Sequence, residues 1–156
     1  MIDEPLFRQV MGHFATGVTV VTTAHHGRLS GITVSSFTSL SLRPTLVLIC
    51  IDHRASSHAA IAEAGAFAVN ILAEGQEYLS RRFASAEAEK FTAGTYELSP
   101  RGLPLLRGAL ARIECTLQST LPGGDHSIFV GEVVAASCHD GRPLLYYRSG
   151  YHTLGS

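Results

Sequence analysis

Hydroxyl side chains crowd the segment ahead of the apolar run Leu46 to Ile51: Thr33, Ser35, Ser36, Thr38, Ser39 and Ser41. A hydroxyl buried beside a core strand costs free energy unless it is bonded, and valine would fill the same space at lower cost. The cluster therefore points to a ligand site whose occupant is anionic or multiply polar. Ser56 and Ser57 lie beyond the apolar run at the expected start of a helix, where free N–H groups and the helix dipole favour an anion. Arg82, near the end of another predicted helix, offers a planar cation suited to phosphate. Singly, each has an ordinary role as a helix cap or a solvated side chain; it is their co-occurrence that points to phosphate. Ser35, Ser36, Asp125 and His126 also supply the residue types of a nucleophilic triad. No G-x-S-x-G turn presents the serine, and Asp125 and His126, as chain neighbours, are expected to diverge rather than align in series. The eight histidines show no HExxH or comparable spacing and the cysteines no CxxC, so no metal site is expected.

Positioning these groups requires mostly strands. Pro5 to Phe14 predicts a short helix, with Leu6, Phe7, Val10, Met11 and Phe14 on one face. Val18 to Thr23 is a β-branched run, and His25-His26-Gly27-Arg28 turns the chain into a second strand, Gly31 to Phe37. Leu40 to Pro44 is expected to bend, and Leu46 to Ile51 to form a central strand buried on both faces. A helix from Ser57 to Ala64 would be capped near Ser56 or Ser57 and stopped by Gly65. Phe67 to Leu72 is a further buried strand with Asn70 as its one polar interruption. Gln76 to Phe83 predicts a helix, Ala84 to Thr95 mixed helix and loop, and Tyr96 to Gly108 an irregular connection. Strands are expected over Ala109 to Ser119, Ser127 to Ser137 and Pro143 to Tyr147, with turns at Pro122 to His126 and Asp140-Gly141. Hairpin spacing without a βαβ rhythm implies a mainly β fold, a closed or nearly closed antiparallel barrel with a few short peripheral helices.

Composition narrows the function classes. The chain has 156 residues, one ordinary domain (1–156). Apolar residues make up 46% and charged ones only 16%, which points to apolar surface buried against a partner subunit or a flat ligand. The net charge of −1 with scattered basic residues leaves no electrostatic footprint for nucleic acid or an anionic membrane. No signal-peptide pattern and no apolar run of transmembrane length is present, and Cys50, Cys115 and Cys138 read as reduced packing residues, so the protein is expected to be cytoplasmic.

The succession F-R-x-x-M-G-x-F-x-T-G-V-x-V-V-T from Phe7, G-I-T-V-S-S-F-T-S-L-S-L-R-P-T-L-V-L-I-C-I from Gly31, F-A-V-N-I-L, R-R-F-A, G-D-H from Gly124 and P-L-L-Y-Y-R-S-G-Y-H resembles the flavin reductase-like family. These are the small reductase components of two-component flavin-dependent monooxygenases. The resemblance runs in order along nearly the whole chain. It implies an FMN-binding split β-barrel, a homodimer, and hydride transfer from NADH or NADPH to FMN or FAD, with transient contact to a monooxygenase. It further implies a flavin wall at Gly31, Thr33, Val34, Ser35, Ser36, Cys50, Ile51 and Asp52, and a phosphate side at Ser56 and Ser57. Arg82, Phe83 and Ala84 would close over the flavin, His126 would orient the nicotinamide or help with charge on reduced flavin, and Tyr147, Arg148, Gly150 and Tyr151 would approach the nicotinamide nucleotide. The same barrel could instead serve a flavin-bound reductase of a corrinoid or ferric chelate, or a non-catalytic flavin or haem binder.

Overall fold

The computed structural model describes residues 1–155. Asp3 caps the first helix, α1 (Glu4–Met11), by accepting a hydrogen bond from the Leu6 N–H at 2.8 Å. Leu6, Phe7, Val10 and Met11 fall within α1, but the helix stops before Phe14, short of the predicted end, and none of its residues is buried. A two-residue strand β1 (Thr16–Gly17) leads into β2 (Thr19–His25), β3 (Arg28–Val34), β4 (Phe37–Leu42) and β5 (Thr45–Asp52). The helix α2 (Ser56–Ala64) ends at Gly65 in the left-handed conformation, φ 68°, where a glycine carries no Cβ penalty. After β6 (Ala66–Ile71) come a short 3-10 turn and α3 (Glu77–Phe83). The small hairpin β7 (Tyr96–Leu98) and β8 (Pro104–Leu106) precedes two long strands, β9 (Ala111–Gly123) and β10 (His126–Cys138). The hairpin β11 (Leu144–Tyr147) and β12 (Gly150–Thr153) closes the chain.

Seven strands form one antiparallel sheet in the order β3-β2-β6-β9-β10-β5-β4. Its two edge strands, β3 and β4, are consecutive in sequence and separated only by Ser35 and Ser36. A flat sheet of seven strands at about 4.8 Å spacing would hold its edges roughly 29 Å apart, far beyond the reach of two residues. The sheet must therefore curl until its edges meet, which makes it the antiparallel split barrel expected from the sequence. The interior holds Val21, Val34, Val47, Ile49, Ile51, Phe67, Val69, Cys115 and Phe129, closed at one side by Ile61 of α2. A second cluster, Val18, Val20, Leu72, Leu79, Phe83 and Leu144, packs α3 and the small sheet β1-β11-β12 on the outside. No helix among the described residues is long and apolar enough to cross a membrane.

Asn70, the polar interruption of its strand, is fully buried. Its amide donates to the Val20 carbonyl (2.9 Å) and the Thr22 hydroxyl (3.2 Å), and its Oδ1 accepts from the Leu106 N–H (2.9 Å). One side chain thus ties the β7–β8 hairpin to the barrel.

Several local expectations are corrected. β5 is not buried on both faces: Val47, Ile49 and Ile51 are buried while Leu46, Leu48 and Cys50 are half-buried, because β5 has core on its inner side alone. Leu40 and the residues around it form strand β4 rather than a bend, pairing with β5 through a bulge between Ser39 and Ser41. The Tyr96 to Gly108 connection contains a hairpin, residues 84–95 contain no helix, and Gly150–Thr153 is a strand.

The barrel tolerates no side chain at Gly131. A Cβ there would lie 2.6 Å from Phe67 Cζ and 2.7 Å from Cys115 Cβ. Gly131→Ala is expected to destabilise the protein by about 1–3 kcal/mol, measured by urea denaturation; unchanged stability would contradict this packing.

Candidate functional site

Beside the two-residue link between the barrel edges, the β4–β5 ladder is extended by one more pair, Ser36 with Cys50. The Cys50 N–H donates to the Ser36 carbonyl (3.1 Å), and the Ser36 hydroxyl donates to the Cys50 carbonyl (2.9 Å). Ser35, exposed beside this pair, has no hydrogen-bond partner among the described residues. Cys50 is half-buried, and burial pushes its thiol pKa up, so the wall carries a neutral, polarisable sulfur rather than a thiolate. Val34 and Ile51 point into the core, which leaves them only backbone atoms to offer a ligand. Thr33 donates its hydroxyl to the Ser80 carbonyl of α3 at 2.5 Å. Gly31 is buried under Phe83, whose ring would lie 2.7 Å from a Cβ there; glycine allows this close approach. The hydroxyl-rich segment is thus partly structural: Thr33 and Ser36 are spent on the fold, and Ser35 is the free group between them.

At the end of β5, Asp52 receives the Arg54 N–H (2.8 Å) and a forked guanidinium contact (3.2 and 2.9 Å). These bonds hold its carboxyl well below the usual carboxylate range. The N-cap of α2 is Ala55, not Ser56 or Ser57, and no side chain caps this end. Ser57 is buried, its hydroxyl 2.9 Å from that of Ser30, while Ser56 is exposed in the first turn. The N–H groups of that turn therefore have no competing side-chain acceptor, which is what an anion site at a helix start requires.

The β9–β10 turn brings the distant residues in. Gly124 has φ 70°, and the register sets His126 directly opposite Asp52. His126 Nδ1 lies 2.7 Å from Asp125 Oδ1, so these neighbours converge, contrary to the expectation that they diverge; the tight turn rotates both side chains to one side. The His126 hydrogen bond lowers the Asp125 pKa. The Asp125 carbonyl accepts from the His53 N–H (3.0 Å), fixing the turn to the loop after β5. Behind it, the Ser127 hydroxyl sits between His58 Nε2 (2.8 Å) and His53 Nε2 (3.2 Å). Sequence reasoning missed this brace: its three residues belong to no motif, and only the pairing of Ser127 with Ile51 brings them together.

Tyr151 joins the site through α3. Its hydroxyl lies 2.6 Å from Ser80 Oγ, and the Arg81 guanidinium stands 4.9 Å over its ring. Ser80 therefore connects Tyr151 to Thr33, a link no spacing pattern reveals. Arg82 reaches the Thr92 hydroxyl (3.1 Å) and covers Tyr78 (5.5 Å), and Ala84 is the C-cap of α3. Tyr147, Arg148 and Gly150 form the β11–β12 turn, which lies against the end of α1: the Arg148 N–H donates to the Gly12 carbonyl (2.9 Å) and Tyr147 meets His13 edge-on. Among the described residues no group of three potential metal ligands is gathered.

Comparison with known proteins gives consistent results. The "Flavin reductase like domain" family model matches residues 11–155. The chain is 45% identical over 151 residues to the flavin-dependent monooxygenase reductase subunit HsaB of Rhodococcus jostii, covering 96% of this chain and 77% of that one. It superposes on the flavin reductase PheA2 with a TM-score of 0.93 at 39% identity, covering 99% and 100% of the two chains. The NADH:FAD oxidoreductase SgcE6 of Streptomyces globisporus, solved with NAD and FAD fragments, gives 0.94 at 37% identity, with 99% and 96% covered.

The Asp52–Arg54 contact predicts a pH signature. Because the folded-state pKa of Asp52 is depressed, its stabilisation is present above the unfolded value of about 4 and is lost as pH falls through the folded one. Asp52→Asn is expected to lower the melting temperature near neutrality by at most about 4 °C, and the gap to the native protein is expected to narrow in acid. A gap that widens in acid would contradict the assignment.

Proposed function

The chain belongs to the flavin reductase like domain family, and from that premise we propose that it reduces free flavin with NADH and supplies the reduced product to a partner monooxygenase. The observation that carries the reading is the meeting of two surfaces: the neutral wall clamped at Ser36–Cys50 and the Asp125–His126 turn set opposite Asp52. Bound flavin supplies a ring that accepts a hydride from C4 of a stacked nicotinamide, a reaction in which positioning is the main protein contribution.

The chain's own residues fit these two occupants. Ser35 and the exposed edge of Cys50 give a flat ring a neutral wall with one free hydroxyl. Ser56 and the uncapped first turn of α2 supply donors for a phosphate, and Arg82 of α3 lends charge. Asp125 Oδ1, 2.7 Å from Nδ1 of His126, fixes the ring and leaves Nε2 free to meet the amide of a nicotinamide. Tyr151, held by Ser80 and Arg81, and the Tyr147–Arg148–Gly150 turn lie toward the nicotinamide nucleotide; Phe83 supports Gly31 from beneath, with Ala84 ending that helix. The wall is open to solvent, as release of reduced flavin requires.

Use of NADPH beside NADH, a cytoplasmic location and a homodimer complete the reading. The exposed apolar face of α1, with Phe14 at 73% and Leu42 of β4 at 85% exposure, supports a second copy as the cover. Val10→Glu combined with Phe14→Glu is expected to shift the protein to monomer in sedimentation; a monomeric native chain would remove this part of the reading.

Oxidation of NADH and NADPH with added FMN, FAD or riboflavin, on flavin-stripped protein, tests the activity. Turnover with free flavin is expected, and no turnover with any flavin would overturn the proposal. Turnover needing a tightly held flavin plus an added corrinoid or ferric chelate would favour reduction of that acceptor. His126→Ala is expected to cut kcat/KM for NADH by about 10- to 100-fold with little change in flavin affinity. Lost flavin affinity with normal turnover would reverse the assignment of His126.

A further inference from the structure

Neighbouring side chains of a strand point to opposite faces, and β10 begins with such a pair. His126 reaches Asp125 at the surface, while Ser127 faces inward with Phe129, both buried. Ser127 therefore lies beneath the turn, at the end of the barrel interior. Its hydroxyl stands between His58 Nε2 (2.8 Å) and His53 Nε2 (3.2 Å). One hydroxyl donates once and accepts twice, so it can serve both rings at once.

The two rings are fixed in turn. His58 packs on the core through Phe129, ring centroids 5.0 Å apart, and stands edge-on to His53 at 5.2 Å. It belongs to the first turn of α2, where its N–H donates to the carbonyl of the N-cap, Ala55 (3.0 Å). His53 opens the loop after β5, and its N–H donates to the Asp125 carbonyl (3.0 Å). Three segments thus share one reference point: the helix start proposed for the flavin phosphate, the loop after Asp52, and the turn bearing His126. Removing the hydroxyl breaks both side-chain bonds and leaves the turn to its strand pairing and the His53 N–H.

We infer, on the flavin reductase reading proposed above, that Ser127 is a positioning residue for hydride transfer. Through His58 and His53 it fixes how far the His126 turn stands from the helix start that seats the flavin phosphate. Its inward side chain touches neither flavin nor nicotinamide, so it acts through His126. Hydride transfer needs the reacting atoms about 3–3.5 Å apart, and a misplacement of about 1 Å can cost on the order of 100-fold in rate. Flavin affinity, spread over the wall and the helix start, is far less sensitive to a small shift of the His126 turn.

Anaerobic rapid mixing of NADH with protein carrying one equivalent of FMN measures the hydride-transfer rate, and fluorescence titration measures FMN affinity. Ser127→Ala is expected to slow flavin reduction about tenfold and to leave the FMN dissociation constant unchanged, which also reports that the variant is folded. In protein already carrying His126→Ala, adding Ser127→Ala is expected to change the rate little, the non-additivity of residues that act together. His53→Ala removes one arm at an exposed position without touching the core, and is expected to slow reduction by a smaller factor. A native rate in either single variant would overturn the inference. An equal loss of rate with and without His126 would also overturn it, marking the hydroxyl as a support of the barrel end alone. Weakened FMN binding with a native rate would do the same, placing its effect on α2. Native protein that binds FMN but does not reduce it would overturn the reductase reading, and the inference with it.

Discussion

Two residues, Ser35 and Ser36, join the opposite edges of a seven-stranded sheet, and the rest of the molecule follows from that constraint. The connection is too short for anything but a curled sheet, and its second residue, Ser36, extends the β4–β5 ladder by a pair with Cys50. Strand pairing satisfies most polar backbone groups in a β protein, and here a hydroxyl adds its own bond to the Cys50 carbonyl. The free Ser35 and the half-buried Cys50 thiol lie at this pair. A ligand meeting this surface finds few charges and a backbone already committed.

The same closure delivers the second surface. β10 pairs with β5 along seven residue pairs from Glu132–Leu46 to His126–Asp52, so the ladder that completes the barrel ends with the imidazole beside the end of the wall. The turn is held from behind by His53 and from its own side by Asp125. Catalysis that depends on stacking two flat rings needs this kind of fixed separation more than it needs acid–base groups. On the other flank, the Thr33–Ser80–Tyr151 chain carries the position of β3 through α3 to the C-terminal hairpin.

Most of the fold was legible because its signals were local. The β-branched runs, Gly65 as helix stop, Pro5 in the first turn of α1 and the single polar Asn70 all read correctly from neighbouring residues. What was not legible depended on pairing across the sheet. Alternation in Leu46 to Ile51 is invisible when both faces carry apolar residues, so β5 read as doubly buried. Ser-rich β4 reads as a loop by composition and becomes a strand by edge pairing with β5. The hydroxyl cluster is visible in the sequence, but what its members bond is not: Thr33 and Ser36 donate to main-chain carbonyls of residues 47 and 14 positions away. The Asp125–His126 contact and the His53–Ser127–His58 brace likewise arise from a turn conformation and a register that composition does not encode.

The most direct test of the central claim, that these two surfaces bring a nicotinamide and a flavin into stacking contact, is an anaerobic single-turnover experiment. Protein carrying one equivalent of flavin would be mixed rapidly with NADH, or with NADH deuterated at the transferred position of C4, while the absorbance of oxidised flavin is followed. Bleaching in one phase, slowed by the deuterium, is the predicted result. Flavin that binds but stays oxidised, or bleaching at the same rate as protein-free flavin, would contradict the account.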